Sequence, residues 1–547
     1  MHKKLKVVLC WHMHQPIYYD GSTQQYQLPW TYLHGIKDYV DMAAHLEAIP
    51  EARAVVNFTP TLLEQLDDYV QQVQAFLHDA TPIRDPLLAA LNDNNFTTGR
   101  LNLIQQCLRI NKEHVTERFA PFKELVELAH SITTTPKLID YIHDQYFIDL
   151  LMWYHLGWLG ETVRLNDQRV QALIEKGEAF TDADRRQLLE IIGELLSGII
   201  PRYKALAEAG KVELSFTPYA HPIMPLMLNM FSAREALPEI DLSGISCYPD
   251  GKDRIRWHIR EGIKVFEHYF GFKPHGCWPS EGSISNATIR LMDEFNISWL
   301  ATGETVLHNS LNEASIHRPY SLINNSVACF FRDDKLSDDI GFEFAKWHGD
   351  DAVNNFVQNL ENIAKTDAEV VSIILDGENA WEYYPKNAYY FLSALYKQLS
   401  EHPDLELTTF SECLNNERIT LPSLVAGSWV YGNFTTWIGS KDKNRGWQML
   451  IDAKHVFDRV HPCLDAAQQA AASRQLAICE GSDWCWWFGD YNSTSTVADF
   501  DKLYRSHLLH LYQLLAESPP DYLNQEFTHG GGDPAAGGTM RKGQENI

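Results

Sequence analysis

Seven short runs of β-branched and apolar residues, separated by long helical or loop sequence, constrain the fold of this chain most. Because connections of this length join parallel strands, the alternation predicts an α/β protein. Seven strands rather than eight indicate an incomplete α/β barrel. The runs are Lys6–Cys10, Ala54–Phe58, Val212–Phe216, Gly276–Trp278, Ile297–Ala301, Val327–Phe331 and Val370–Leu375.

Helical periodicity divides the rest of the chain. Apolar residues three and four apart dominate the stretch from about 61 to 210, for instance in Leu138–Leu159. The same pattern returns after Phe410. We therefore predict a catalytic barrel over residues 1–410 with a helical insertion at about 61–210. A helical domain over 411–525 and a disordered, Gly-rich tail over 526–547 should follow.

The composition restricts the partners and the compartment of this protein. A formal net charge of −26 argues against binding to nucleic acid or to an anionic membrane, since either would need a basic face. The apolar run Val7–Trp11 is too short for a signal peptide, and no window is long enough to span a membrane. Nine scattered cysteines without a CxxC pair indicate reduced thiols in a cytoplasmic protein. The oligomeric state stays open.

Two acidic motifs directly follow predicted strands. Glu281 lies in Trp278–Gly282, and Asp376 and Glu378 lie in Leu375–Asn379. Carboxylates at the carboxyl ends of parallel strands sit where α/β barrels place their chemistry. Two of them from separate strands match the needs of glycoside hydrolysis, although helix N-caps or solvated rim acids would give the same pattern.

Histidines and a further acid mark two other strand ends. His12 and His14 are two residues apart, so both face the same side at the end of the first strand. They could bind a metal, donate hydrogen bonds to sugar hydroxyls, or serve the structure. Glu213 lies inside the third apolar run and must be paired if buried, and His221 follows just beyond that run.

A tryptophan-rich segment near the carboxyl end completes the set of candidate motifs. Three tryptophans fall within four residues of Glu480–Asp490, flanked by acids and glycines. Aromatic faces beside acids suit sugar binding, whereas a packing cluster that joins the helical domain to the barrel is the alternative.

In combination, five motifs resemble those of glycoside hydrolase family 57, a family that acts on α-glucans. Their forms are closest to the α-amylase and amylopullulanase branch of that family. The resemblance implies a (β/α)7 TIM-like barrel with a long helical insertion, followed by a C-terminal α-helical domain. The motifs are His12–Pro16, Val212–Phe216, Trp278–Gly282, Leu375–Asn379 and Ser482–Gly489.

By the same resemblance, Glu281 matches the nucleophile and Asp376 the general acid/base of a retaining glycosidase acting on α-1,4-glucans such as starch, glycogen and maltodextrins. We expect no cofactor and no metal. One alternative is a 4-α-glucanotransferase on the same site. The others are a metal-dependent polysaccharide hydrolase or deacetylase, with His12, His14, His221 and Asp376 as ligands, and a non-catalytic glucan-binding protein. The residues expected to bind substrate are His12, His14, Glu213, His221, Trp278, Glu378, Trp381, Asp483 and Trp486.

Overall fold

A barrel of parallel strands forms the centre of the molecule, in a computed structural model that describes residues 4–93, 96 and 99–532. Its strands are β1 (Leu5–Met13), β2 (Ala54–Phe58), β3 (Val212–Phe216), β4 (Gly276–Cys277), β5 (Trp299–Gly303), β6 (Ala328–Arg332) and β7 (Val370–Asp376). They follow the order β7-β1-β2-β3-β4-β5-β6, and a bridge between Arg332 and Ser372 closes the ring. The predicted α/β class and seven-stranded barrel are therefore confirmed, with each predicted run forming a strand.

The alternation of side chains along the strands explains both the core and the site. In β1, Val7 and Leu9 pack outward into the main core, whereas Val8 and Cys10 join the smaller cluster inside the barrel. His12 is two residues beyond Cys10 and therefore also faces the inside of the barrel. It pairs in register with Asp376 of β7, so polar groups meet at one level at the carboxyl end.

In the described part of the chain, five short strands lie outside the ring. Leu405–Leu407 runs parallel to the start of β1. Tyr320–Leu322 is antiparallel to β6 and parallel to Ile419–Leu421. Tyr19–Asp20 and Gln25–Tyr26 form a separate antiparallel pair.

Between β2 and β3 the chain is helical, as predicted. Its longest helix begins with a capping box, in which the side chains of Thr181 and Asp184 each accept a hydrogen bond from the other's backbone N–H. The α-helices of this insertion are Pro60–Asp79, Pro86–Ala90, Arg100–Cys107, Ala120–Thr134, Asp144–Trp158, Glu161–Asn166, Gln168–Lys176 and Asp182–Glu208, with 3-10 turns at Thr116–Arg118 and Pro136–Tyr141.

The other connections of the barrel are also helical. Two of them contain a π-helical turn, at Gly35–Tyr39 and Asp339–Glu343. Their α-helices are Trp30–His34, Val40–Ala48, Met224–Leu228, Ala233–Ala236, Gly251–Phe270, Asn286–Glu294, Glu304–Ser310, Asp334–Asp338, Gly349–Ala364 and Tyr389–Glu401. Short 3-10 turns lie at Met230–Ser232, Ser280–Gly282, Phe344–Lys346, Trp381–Tyr383, Pro385–Ala388 and Ser411–Cys413.

The carboxyl-terminal helices are tied to the barrel by a buried carboxylate. Glu480 accepts hydrogen bonds from Arg254 (Nη2–Oε2 2.7 Å), His258 (Nε2–Oε2 2.8 Å) and the Tyr248 hydroxyl. These helices are Lys441–Val460, Ala466–Cys479, Asp483–Trp487 and Thr494–Leu514, with 3-10 turns at His461–Cys463 and Asp521–Asn524.

The predicted tail, residues 526–547, begins within the described part of the chain. Phe527 packs on Phe488, with ring centroids 5.1 Å apart, and its backbone N–H donates to Asp501. Residues 526–532 are thus attached to the helices, because the segment still contains one large apolar side chain. Residues 533–547 lie outside the described part of the chain. Within residues 4–93, 96 and 99–532, no helix combines the length and the apolar character needed to cross a bilayer.

Candidate active site

Three imidazole rings stack at the carboxyl end of the barrel. The ring centroids of His14 and His221 are 4.0 Å apart, and those of His12 and His221 are 5.2 Å apart. The planes differ by only 14° and 23°. His221 and the preceding Ala220 both adopt left-handed backbone conformations. Such strain in non-glycine residues is typical of functional sites.

Hydrogen bonds define the protonation of this stack. The Asn57 side-chain oxygen lies 2.6 Å from His12 Nδ1, so Nδ1 carries a hydrogen and donates it. His12 Nε2 then accepts from His221 Nε2 at 3.2 Å, which leaves His221 Nδ1 to accept from the Ser482 hydroxyl at 2.7 Å. Burial lowers the pKa of His12 to about 3 and that of His221 well below its ordinary value. Both rings are therefore neutral.

The tryptophan-rich segment supplies an acid to this stack. His14 Nε2 lies 2.7 Å from Asp483 Oδ1, and its Nδ1 lies 3.1 Å from the Thr59 hydroxyl. Ser482 and Asp483 follow the last barrel strand by more than a hundred residues. The pocket is thus completed by the carboxyl-terminal helices.

Glu281 occupies a strained turn directly after β4. Its backbone is left-handed (φ 57°), as is that of Gly282, where an added Cβ would approach Trp278 to 2.8 Å. The indole N–H of Trp429 donates to Glu281 Oε2 at 3.0 Å. Burial raises the pKa of Glu281 well above its ordinary value, nearby Asp376 raises it further, and the Trp429 hydrogen bond opposes both effects.

Arg332 connects Trp429 with the strand that carries Asp376. Its guanidinium lies 5.3 Å from the Trp429 ring, and its Nε donates to the Ile374 carbonyl at 2.7 Å. Gly303, at the end of β5, lets the Trp429 backbone approach, since a Cβ there would lie 2.7 Å from the Trp429 Cα. Trp429 and Arg332 were not predicted as site residues.

Asp376 is the last residue of β7, and Glu378 lies in the turn that follows. Asn379 donates to Asp376 Oδ2 at 2.7 Å, which by itself lowers the pKa of Asp376. Burial outweighs this hydrogen bond and raises the pKa to about 6. Glu378 Oε1 accepts from the backbone of His14 (3.3 Å) and from Gln15 (3.2 Å). Its Oε2 is buried and has no hydrogen-bond partner among the described residues. Burial, and then Asp376, raise the pKa of Glu378 well above its ordinary value.

One pocket brings most of the predicted residues together. His12, His14, Glu281, Asp376, Glu378 and Asp483 all line it, and His221 stacks against its wall. The side chains of the pocket that the sequence did not single out are Gln15, Pro16, Tyr18, Asn379 and Trp487. Trp487 is four residues beyond Asp483 on the same helix, hence on the same face, a signal present in the sequence.

Glu213 and Trp381 lie away from the pocket. Glu213 is the second residue of β3, which places it near the amino-terminal end of the barrel, where it accepts from Trp299 Nε1 (2.7 Å) and from Ser411 N (2.9 Å). Trp381 is fully buried, and its indole N–H donates to the Gly377 carbonyl at 2.7 Å. The structure therefore gives both side chains structural contacts and does not bring them to the cluster.

Trp278 and Trp486 stand behind the pocket lining. Trp278 is fully buried beside Gly282 and meets Trp429 edge to face, with ring centroids 5.2 Å apart. Trp486 is half-buried and faces Trp437 at 6.0 Å. Neither side chain lines the pocket, so a direct contact with substrate stays a prediction for both.

The geometry bears on the metal-ligand hypothesis. Ligand atoms of His14, His221 and Asp483 lie within 4.8 Å of one another, close enough for one metal ion. However, the lone pairs of an imidazole lie in its ring plane, and the two rings are nearly parallel. Their lone pairs therefore do not converge, as a tetrahedral site would require.

Comparison with known proteins places this site in a family context. The model of glycosyl hydrolase family 57 matches residues 8–423. A putative α-amylase of Methanocaldococcus jannaschii is 22% identical over 262 residues, which cover 46% of this chain and 51% of that protein. The chain thus spans about half the length of this curated relative.

Solved structures of low sequence identity share the fold. A family 57 type branching enzyme from Pyrococcus horikoshii superimposes with a TM-score of 0.60 at 17% identity, covering 94% of this chain and 90% of that one. The α-amylase AmyC of Thermotoga maritima gives a TM-score of 0.55 at 14% identity, covering 95% and 96%.

Proposed function

Because the chain belongs to glycosyl hydrolase family 57, we propose that it is a retaining glycosidase that cleaves α-1,4-glucans. Glu281 is the nucleophile and Asp376 the general acid/base. The observation that carries this proposal is that two carboxyl groups from different strands share one pocket beside a stack of three imidazoles. The solved α-amylase with the same fold supports a glucan as substrate.

The site chemistry follows from the environment of each carboxyl group. Asp376, with its pKa raised to about 6, holds a proton in roughly one molecule in ten at pH 7 and in more at lower pH, and gives it to the leaving oxygen. Glu281 attacks the anomeric carbon as the anion, which the Trp429 N–H and the positive charge developing on the sugar ring both favour. In the second step Asp376 takes a proton from water, the water oxygen bonds to the anomeric carbon, and the bond from that carbon to Glu281 breaks, which releases the Glu281 carboxylate.

The imidazoles suit a neutral ligand. A neutral ring offers one donor and one acceptor and requires no charge on its partner. Both nitrogens of His12 and of His221 bond to protein groups in the structure, so a sugar hydroxyl must replace one of these partners, such as the Ser482 hydroxyl. The parallel arrangement of His14 and His221 favours this role over metal ligation. If a chelator abolished activity and about one zinc ion per chain were found, the metal-dependent hydrolase hypothesis would replace ours.

We also propose the reducing cytoplasm as the compartment. All nine cysteines are unpaired thiols, including the exposed Cys247 and Cys463.

The decisive experiment analyses the products formed from maltoheptaose by the wild type, Glu281→Gln and Asp376→Asn. Shorter products alone indicate hydrolysis, while longer ones beside them indicate a 4-α-glucanotransferase. Glu281→Gln should lose turnover on every substrate by several orders of magnitude. Asp376→Asn should lose far more on maltoheptaose than on activated aryl glycosides, whose leaving groups need no proton. Binding of amylose without turnover by the wild type would instead show a glucan-binding protein.

A further inference from the structure

Three aromatic side chains are exposed on the two barrel connections that follow β6 and β7. Phe342 is 37% exposed, Trp347 44% and Tyr390 57%. Phe342 lies in the π-helical turn Asp339–Glu343, and Trp347 and Tyr390 lie close to the starts of the next two long helices. Scattered exposed aromatics need no explanation, but a group on neighbouring segments at the catalytic end of a barrel does.

Neighbouring side chains hold two members of this group in place. The Trp347 ring packs edge to face on Phe344, with centroids 5.4 Å apart, and Phe344 packs on Phe391 at 6.1 Å. Gly349 lies against the backbone of Phe391, where an added Cβ would come within 3.4 Å of the nitrogen. The exposed Trp347 ring is therefore supported by buried rings, whereas the Tyr390 ring is held by Lys386, whose Nζ lies 5.0 Å from its centroid and donates to its hydroxyl at 3.0 Å.

The same segment is attached to the turn that carries Asp376. The Tyr384 hydroxyl donates to the Ile340 carbonyl at 2.6 Å. A Cβ on Gly341 would lie 3.3 Å from the side chain of Leu375, the residue directly before Asp376. A general acid protonates the leaving oxygen, so the leaving part of a glucan departs on the side of Asp376.

We propose that Phe342, Trp347 and Tyr390, here called the aromatic surface, bind the leaving-group portion of an α-glucan chain. Each sugar ring has an apolar C–H face that can lie on an aromatic ring, and the ligand carries no charge. This inference rests on the proposed function, and it adds a role: a glucan held here can serve as acceptor, so the aromatic surface favours transfer over hydrolysis.

The test compares Trp347→Ala and Tyr390→Ala with the wild type on two substrates. One is amylose, which reaches the aromatic surface. The other is an activated 4-nitrophenyl α-maltoside, whose leaving group is too short. We expect kcat/KM on amylose to fall by up to about tenfold, with the aryl substrate unaffected and fewer elongated products. Trp347→Phe keeps a ring and should retain most of the activity.

Tyr141→Ala is the matched control, since Tyr141 is 87% exposed on the helical insertion and should change neither rate. Migration in native gels containing amylose reports binding without turnover. The gels therefore test the aromatic surface separately from the proposed function. If the proposed function is wrong, the wild type cleaves no glucan at all. Equal losses on both substrates, or unchanged amylose retardation by Trp347→Ala, would overturn the proposal. So would a wild-type dimer that Trp347→Ala converts into monomers with unaltered amylose kinetics, because the surface would then join two copies.

Discussion

Replacing Trp429 by phenylalanine isolates one hydrogen bond to the proposed nucleophile. Phenylalanine keeps an aromatic ring between Trp278 and Arg332 but removes the N–H that lies 3.0 Å from Glu281 Oε2. A hydrogen bond to an ionised group contributes about 1.5–3 kcal/mol, so kcat/KM should fall by about 10- to 150-fold near neutral pH.

The pH dependence gives a second, independent readout. The Trp429 hydrogen bond lowers the pKa of Glu281, and its loss must raise that pKa. Because only the anion attacks, the acid limb of the profile of kcat/KM against pH should move to higher pH. The rate loss should therefore be largest in acid and smaller in base.

Trp437→Phe is the matched control for this change. Trp437 is fully buried nearby in the sequence, and its indole nitrogen has no hydrogen-bond partner among the described residues. The assay is kcat/KM on a 4-nitrophenyl α-maltoside from pH 4 to 9, with the melting temperature of each variant. An unmoved acid limb in Trp429→Phe, or an equal loss in Trp437→Phe, would refute the reasoning.

Two further predictions concern buried glutamates and the pH dependence of stability. Burial raises the pKa of Glu378 above its ordinary value of 4.5, so wild-type stability should decline as pH rises above that value, and Glu378→Gln should melt progressively higher than the wild type. Parallel melting curves from pH 4 to 8 would show that the carboxyl is ionised in the folded protein. Glu480 is the opposite case, because Arg254 and His258 outweigh burial and lower its pKa to about 2. The ionised Glu480 therefore stabilises the folded protein at any pH above its ordinary pKa of 4.5, and this stabilisation is lost as the pH falls towards 2. Glu480→Gln should cost about 3–5 kcal/mol at pH 7 and less in acid, measured by urea unfolding, and a difference independent of pH would contradict this.

The barrel could be predicted because its strands are buried on both faces. Val370–Leu375 is apolar except for Ser372, and such runs between helices have few other interpretations. The position of Asp376 at the end of that run then located one side of the pocket. The apolar runs and the positions of their carboxyl ends were therefore sufficient to predict that Glu281 and Asp376 lie at the same end of the barrel.

The sequence did not show which side chains near the strand ends and in the loops reach the pocket. Glu213 stands only three residues before the end of β3, yet that distance is enough to place it near the opposite end of the barrel. Trp381 follows Asp376 closely but turns inward to bind the Gly377 carbonyl. Trp429 reaches Glu281 from a loop of irregular backbone, where no periodicity indicates which way a side chain points.

The closure of the barrel has a consequence for synthesis. Val7 of β1 pairs with Val371 of β7, which is its neighbour in the ring but is among the last parts of the barrel to be translated. At translation rates of about 5–20 residues per second, this edge of β1 waits roughly 20–70 s for its partner. Throughout that time the nascent chain presents an apolar strand with unpaired backbone groups, the kind of edge that promotes aggregation. Chaperone dependence during production should therefore track the time needed to translate from β1 to β7 more closely than the stability of the finished protein.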